Sequence, residues 1–259
     1  MIILLHSSKT MQSGSSVAGA GQRPLLLPMA QELGKYVASL SPASIATSMR
    51  LSGAMADKTY SLMQSWKGSR QRPAIDAFLG DIYSGLQVHT LSSSDRAYAN
   101  DHLYILSGLY GVLRALDSVA PYRLEMGYRL PDEPYKNLYT YWRDSIAKQL
   151  PPDELIINVS AVEYTKAVLP YLSGRTIITP KFMTVSPKTG EPTFVVVHAK
   201  IARGAYARWL IQERIQDAKD LSNFTDLGYV YAAALSTPTE PVFICKTFQG
   251  LGLSVRLRS

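Results

Sequence analysis

Hydrophobic and polar positions alternate along this chain with a period that changes from one segment to the next. Some apolar runs are short or alternate at every second residue, as in β-strands, whereas others repeat every three to four residues, as in amphipathic helices. The predicted strands are 1–5, 74–79, 103–106, 155–159, 175–179, 193–199, 229–234 and 241–248. The predicted helices are 29–40, 42–51, 58–66, 95–101, 138–150 and 205–221. We therefore expect an α+β (mixed α/β) fold with a mixed sheet and surrounding helices.

The domain organisation follows from length and apolar content. The chain has 259 residues, of which 46% are hydrophobic, so it can bury a sizeable core. The Ser/Gly-rich stretch 12–21 lies too near the N-terminus to separate domains, and we predict a flexible surface loop there. Residues 1–5 are too few for a signal peptide or a membrane span, which predicts a buried first strand and no export. We expect one compact domain, 1–259.

Positive charge is concentrated in one segment. The net charge is +7, and residues 164–208 contain seven of the Lys and Arg residues but a single carboxylate, Glu191. Aromatic residues are interleaved with these cations, a pattern that suits contact with a polyanion and stacking on bases. The alternative is a solvated basic face that keeps the protein soluble. We expect the segment to contribute to a basic cleft.

The run 106–127 combines glycines with charges in an apolar setting. Arg114, Asp117, Arg123 and Glu125 lie among Leu, Val and Tyr residues, where charged groups need partners or a ligand. The run indicates either an internal ion-pair network or a functional cleft. Arg123 distinguishes the two interpretations, because its guanidinium can hold a phosphate or a neighbouring carboxylate.

Two further motifs follow predicted strands and place polar groups at strand ends. HSSKT at 6–10 follows the first strand, and Lys9 is the residue that we expect to contact an anion there. GDIYSGL at 80–86 sets Asp81 and Tyr83 between two glycines, which predicts a loop that orients both side chains into one cleft. Capped structural turns are the alternative for both motifs.

Residues 41–66 predict two helices joined by a short turn. Ser41 and Pro42 form a good N-cap and first helical turn. LSGAMADK at 51–58 resembles the hairpin of helix-hairpin-helix DNA-binding modules, in which backbone N–H groups bind a phosphate. Met55 stands where such hairpins carry a second glycine. The alternative is a plain helical pair that packs on the core.

Several kinds of chemistry have no support in the sequence. The four histidines are scattered without ligand spacing and there is one cysteine, so we predict no metal site and no cofactor. That residue, Cys245, lies in the apolar run VFIC and is expected to be a core residue of a protein in a reducing compartment. Ser7 and Ser8 are adjacent to His6 in sequence only, which does not indicate a catalytic triad.

Six motifs, in this order along the chain, resemble those of the YaaA peroxide-stress family of bacterial proteins. They are HSSKTM at 6–11, AFLGDIYSGL at 77–86, LSGLYGVLRALDSVAPYRLEMG at 106–127, NLYTYW at 137–142, AKIARG at 199–204 and the pair Gly228-Tyr229. Each motif alone is weak, but their combination is specific. The block NVSAVEY departs from the family pattern, with Ala161 and Val162 in place of a serine and an acidic residue, whereas Asn158, Glu163 and Tyr164 match.

The resemblance implies a cytoplasmic DNA-binding protein of the peroxide stress response that limits iron-dependent oxidative damage. The expected partners are double-stranded or branched DNA, bound without strong sequence preference, and repair or recombination proteins, with no membrane partner. The residues expected to contact DNA phosphates are Lys9, Arg50, Gly53, Lys58, Arg114, Arg123, Lys181, Lys200, Arg203 and Arg208.

Two other functions compete with DNA binding. An enzyme acting on a nucleotide or a damaged base would use a polar pocket, for which the candidates are Asp81, Tyr83, Glu125 and Glu163. A structural adaptor in a repair complex would leave few marks in the sequence. A pocket with a perturbed carboxylate would favour the enzyme, a broad open groove the DNA-binding protein and an exposed apolar patch the adaptor. The resemblance favours binding over catalysis.

Overall fold

Strands and helices alternate along the chain in the computed structural model, which describes residues 1–12 and 21–250. The strands there are β1 (Ile2–His6), β2 (Thr10–Met11), β3 (Arg72–Pro73), β4 (Phe78–Leu79), β5 (Leu103–Ser107), β6 (Gly111–Arg114), β7 (Ser118–Val119), β8 (Ile156–Asn158), β9 (Ile177–Ile178), β10 (Lys181–Val185), β11 (Pro192–Thr193), β12 (Tyr229–Tyr231) and β13 (Val242–Cys245). The α-helices are α1 (Leu27–Ser39), α2 (Pro42–Met49), α3 (Gly53–Ser65), α4 (Ala74–Ala77), α5 (Asp81–Leu86), α6 (Ser93–His102), α7 (Leu138–Trp142), α8 (Val162–Thr165) and α9 (Val196–Gln212). Apart from its two end residues, the loop predicted at 12–21 lies outside the described residues.

The first strand is the centre of a five-stranded sheet. The strand order is β6-β5-β1-β8-β9, in which β5, β1, β8 and β9 are parallel and β6 is antiparallel. Every residue of β1 is buried, which explains why it reads as a continuous apolar run. Burial of a side chain such as Leu4 contributes roughly 1.5–3 kcal/mol of stability. Because β1, β5 and β8 are parallel, their carboxyl ends meet at one edge of the sheet.

A second mixed sheet has the order β11-β10-β13-β12. Strands β10 and β13 are parallel, and β12 pairs with β13 in antiparallel fashion. An aromatic cluster joins this sheet to α9, with ring centroids 5.5 Å apart for Phe182 and Phe243 and 5.6 Å apart for Phe182 and Tyr206. Cys245, at the end of β13, is buried as predicted.

Helices α5 and α9 cross at two glycines. A Cβ atom on Gly85 would lie 1.9 Å from the Ile201 carbonyl oxygen, and one on Gly204 would lie 1.7 Å from the Ile82 carbonyl oxygen. Neither distance is possible for a real side chain, so only glycine lets the two helices approach this closely. This contact fixes α5, which follows β4, against the longest helix of the described chain.

The predicted fold class is confirmed, because the molecule is a single mixed α/β domain. Strands are present within or near the predicted segments 1–5, 103–106, 155–159, 175–179, 229–234 and 241–248, and helices within or near 29–40, 42–51, 58–66 and 95–101. The predicted cap of α2 is also confirmed. The Ser44 N–H donates to the Ser41 hydroxyl at 3.2 Å, and Pro42 is the first residue of the helix.

The strand predicted at 193–199 is wrong, because α9 begins at Val196. The β-branched residues favour a strand locally, but the following alanines pack into the core on one helical face and override that preference. The helix predicted at 205–221 accordingly ends earlier, at Gln212. Strands β6 and β10 were not predicted.

Two more predicted elements differ from the structure. Segment 74–79 forms the short helix α4 and then β4, where a single strand was predicted. The helix predicted over 138–150 stops at Trp142, because Arg143 has a positive φ of 46° that a right-handed helix cannot continue through.

The contact between α5 and α9 generates the first prediction. Gly204→Ala should lower the free energy of unfolding by about 1–3 kcal/mol or more, because its methyl group collides with backbone that cannot rotate away. Urea denaturation measures the change. Gly53→Ala is the control, since no atom lies within 4 Å of its Cβ position at the start of α3. Equal stability of the two variants would contradict the prediction.

Candidate anion-binding cleft

Buried hydroxyl groups join the carboxyl ends of β1 and β5. The Ser7 hydroxyl donates to the Tyr164 hydroxyl at 3.3 Å and also hydrogen-bonds the Tyr122 hydroxyl. The hydroxyls of Tyr122 and Ser107 lie 2.6 Å apart. Because these groups are almost completely buried, loss of one partner would leave another unsatisfied at a cost of about 1–3 kcal/mol. The network thus holds the turn after β1, which presents Lys9.

His6, the last residue of β1, makes structural contacts at the same edge of the sheet. Its Nδ1 accepts a hydrogen bond from the Ala161 N–H at 3.1 Å, and its ring stacks on Tyr164. Burial, and then the nearby cations Arg203 and Lys200, lower the pKa of His6 to about 3. The imidazole is therefore neutral at physiological pH and supplies no positive charge to an anion.

Glu125 is placed by a close backbone approach. A Cβ atom on Gly108 would lie 2.2 Å from the Leu124 carbonyl oxygen and 2.9 Å from the carbonyl carbon of Glu125, so glycine allows the chain after Tyr122 to pass directly over the end of β5. The Glu125 side chain accepts a hydrogen bond from the Tyr164 hydroxyl. It is therefore attached to the same network as Ser7.

Glu125 is 6% exposed, and the pKa of its carboxyl is raised to about 6. Burial is the main cause, and the negative charge of Glu163 adds to it. Three interactions lower the pKa and stabilise the carboxylate. They are the positive charge of Lys9, the hydrogen bond from Tyr164 and the positive charge of Arg123. A carboxyl group whose pKa is raised in this way can gain or lose a proton near neutral pH.

Glu125 lies in a cleft with a volume of about 680 Å³, which we call the central cleft. Its lining residues are Lys9, Thr47, Ser48, Met49, Arg50, Leu51, Arg123, Glu125, Gly127, Tyr128, Arg129, Pro131 and Glu163. They come from the turn after β1, the end of α2, the segment 123–131 and α8. Four cations and two carboxylates therefore face one concave surface.

The cations of the central cleft differ in exposure. Lys9, Arg50 and Arg129 are exposed, whereas Arg123 is half-buried. The Arg123 Nε is fully buried without a hydrogen-bond partner, and no carboxylate oxygen of the described residues lies within 4.0 Å of its guanidinium nitrogens. The Nε itself is enclosed by the protein, but Arg123 lines the cleft, so the rest of its guanidinium faces a ligand there.

Glu163 is held at the edge of the central cleft by α8. Its Oε1 accepts a hydrogen bond from the Gly127 N–H at 2.9 Å, and its backbone carbonyl accepts one from the Tyr139 hydroxyl at 2.9 Å. Val162, which replaces the acidic residue of the family pattern, has an exposed side chain. The carboxylates of the cleft are thus Glu125 and Glu163 alone.

Seven of the ten predicted phosphate contacts do not line the central cleft, and five of them come from outside the segment 41–66. The Arg114 guanidinium binds Asp117, whose side chain is fully buried, so this part of the 106–127 run is an internal ion pair. Lys181 pairs with Glu240, and Arg208 pairs with Asp226. The remaining two are Lys200 and Arg203, which lie beside His6.

Gly53 and Lys58 are exposed near the start of α3, close in sequence to the part of the hairpin that lines the cleft. Asp81 and Tyr83 do not line it either, and they lie on α5 where a loop was predicted. The Tyr83 hydroxyl donates to the His6 carbonyl oxygen at 3.0 Å and is a structural contact. The cleft instead contains Tyr128 and Arg129, which we did not single out because the tyrosine matched the apolar background and the arginine lies just beyond the central motif.

Further features bear on the competing functions. A pocket with a perturbed carboxylate is present, and so is an open cleft lined by cations. Within residues 1–12 and 21–250, no three His, Cys, Asp or Glu side chains are grouped so that they could hold a metal ion. None of the helices described is long and apolar enough to cross a membrane.

Comparisons with known proteins cover most of the chain. The family model described as Peroxide stress protein YaaA matches residues 1–235. A UPF0246 protein of Salinispora tropica is 51% identical over 258 residues, which cover 99% of this chain and 98% of that protein. UPF0246 proteins of Roseobacter denitrificans and Shewanella woodyi are 42% and 36% identical, covering 85% and 94% of this chain and 91% and 98% of theirs.

The raised pKa of Glu125 generates a prediction for stability. The folded chain binds this proton more tightly than the unfolded chain, so ionisation above about pH 6 costs the folded state on the order of 2 kcal/mol, a cost absent below about pH 4.5. Glu125→Gln should therefore become more stable relative to the native protein as the pH rises through this window. Urea denaturation at both ends of the window measures the difference, with the exposed Glu191→Gln as control. A constant difference would contradict the prediction.

Proposed function

The chain belongs to the peroxide stress protein YaaA family, and from this membership we propose that it is a cytoplasmic protein that binds DNA during peroxide stress. In this role it limits oxidative, iron-dependent damage to DNA. It binds double-stranded or branched DNA through phosphates and with little sequence preference, because the cations of the central cleft would contact phosphates, and phosphate contacts carry no sequence information directly.

The observation that carries the proposal is the convergence of cations in the central cleft. Lys9 and Arg123, which are 114 positions apart in sequence, line it together with Arg50 and Arg129. Arg123 is the strongest single sign of an anionic ligand, because it lines the cleft with no carboxylate of the described residues within 4.0 Å, and a guanidinium binds phosphate through several N–H groups at once.

The turn between α2 and α3 supports a second phosphate contact. Arg50 has a left-handed φ of 52° and lines the cleft, and α3 begins two residues after Leu51. The side chain of the N-cap residue Ser52 makes no capping hydrogen bond, so the N–H groups of the first turn are available to an anion. We propose that this turn, within residues 41–66, is the hairpin whose backbone N–H groups bind a phosphate.

An enzyme acting on a nucleotide or a damaged nucleobase is the second candidate function. The specific observation that favours it is Glu125, a buried carboxyl whose pKa lies near neutrality inside the same cleft. If it is correct, incubation with nucleotides or damaged duplexes should release a product that chromatography detects, and Glu125→Gln should stop the release.

Salt dependence tests DNA binding directly. Fluorescence anisotropy with a labelled duplex should show affinity that falls steeply with salt, because each phosphate contact contributes about 0.9 to the slope of log K against log salt. Lys9→Ala should reduce that slope by about 1 and leave the protein folded, since Lys9 is exposed. Lys148→Ala removes the same charge outside the cleft and should keep the slope. A native slope near zero would exclude phosphate contacts.

Gly53 tests the hairpin. Gly53→Val should weaken duplex binding several-fold, because a branched side chain covers the N–H groups at the start of α3. The fold should tolerate it, since no atom lies within 4 Å of the Cβ position. Gly68→Val, at a similarly open position, is the control for binding. Loss of thermal stability in proportion to loss of binding would instead make the helical pair a scaffold for the core.

A further inference from the structure

The central cleft separates its charges by depth. Exposed cations, among them Lys9 and Arg129, lie at its rim, whereas the Glu125 carboxyl is nearly inaccessible. A phosphate group would be repelled by the carboxylates of Glu125 and Glu163 but attracted by the rim. The deeper part of the cleft suits a neutral group that carries N–H donors.

The walls of the cleft supply apolar and aromatic surface between these two zones. Tyr128 lines it with a half-buried ring, and Met49, Leu51 and Pro131 also contribute to its lining. A tyrosine ring offers a stacking surface for a nucleobase, which every base can use because each has an aromatic face. Phosphate contacts alone would require no such wall.

The size of the cleft fits one nucleotide. Its volume of about 680 Å³ falls within the roughly 300–1,000 Å³ of sites that enclose small ligands. Base edges inside a duplex are reached through the grooves, so a base can enter a cleft of this kind only when it has left the stack. Carboxylates pair with exocyclic amino groups of bases, as Glu and Asp do with cytosine.

We propose that the central cleft binds a single unpaired nucleotide, with its phosphate on Lys9 and Arg123, its base stacked on Tyr128 and the base edge hydrogen-bonded to Glu125 and Glu163. The proposal rests on the proposed function when the nucleotide is part of a DNA chain. In this proposal the named groups of the cleft contact the phosphate, the ring or the edge of one nucleotide. The protein therefore prefers DNA that contains an unpaired nucleotide.

Two duplexes with the same label and nearly equal charge density, together with one unlabelled competitor, test it by anisotropy at one salt concentration. They are a fully paired duplex, the same duplex with one bulged nucleotide, and a free deoxynucleoside 5′-monophosphate as competitor. The bulged duplex should bind about tenfold more tightly than the paired duplex, the range expected for one stacked and hydrogen-bonded base. Saturating free nucleotide should lower the affinity for the bulged duplex to about that for the paired duplex, because it occupies the site of the unpaired base.

Two variants make the test specific to the cleft. Tyr128→Leu should reduce the bulge preference to less than about threefold while paired-duplex affinity changes little, because the lost stacking affects only the unpaired base. Glu125→Gln should also reduce the preference, as the base edge loses a charged partner. Tyr171→Leu is the matched control, since this exposed tyrosine lies outside the cleft. Melting curves confirm that each variant is folded.

The outcomes separate this inference from the proposed function. Equal binding of both duplexes, unaffected by Tyr128→Leu, would overturn the nucleotide assignment and leave DNA binding intact. Failure of both duplexes to bind would overturn the DNA-binding function. In that case direct binding of the free nucleotide, lost in Tyr128→Leu, would support the cleft as a site for a free nucleotide, and its absence would overturn both.

Discussion

The hydrogen bonds of Ser7 are the constraint on which the site depends. This residue directly follows β1, and its hydroxyl connects Tyr122 and Tyr164, which come from distant parts of the chain. The network fixes where β1 ends, where the segment leading to Glu125 leaves the sheet and where α8 lies. A parallel sheet provides the common edge, but these buried hydroxyls determine which side chains meet there.

Electrostatics in the cleft result from burial and charge acting in opposite directions. Burial raises the pKa of Glu125, while Lys9 and Arg123 favour its ionised form. Arg123 is half-buried, so water screens its attraction for a ligand less than it screens that of the exposed Lys9. The cleft is therefore neither purely basic nor purely acidic, and a ligand must match both zones.

The sequence allowed the main strands to be predicted and Lys9, Arg123 and Glu125 to be singled out as candidate site residues, because strand ends and glycine-rich charged motifs have local signals. It did not reveal where the cations of segment 164–208 lie. Lys181 and Arg208 pair with carboxylates that are distant in sequence, and such pairing has no periodic signature. α9 was misplaced because its first turn is β-branched, and Tyr128 was missed because a tyrosine on a cleft wall and one in the core have the same local pattern.

Because of the glycine contact between α5 and α9, the longer helix has one surface whose residues cannot be substituted and another whose residues can. At Gly204 the partner backbone occupies the space of any side chain, and a compensating change at Gly85 is impossible because that residue is already the smallest. Lys200, one turn earlier, is exposed and can be replaced without cost to this contact. Relatives could therefore diversify the charge of α9, and with it the ligands they attract, on an unchanged scaffold.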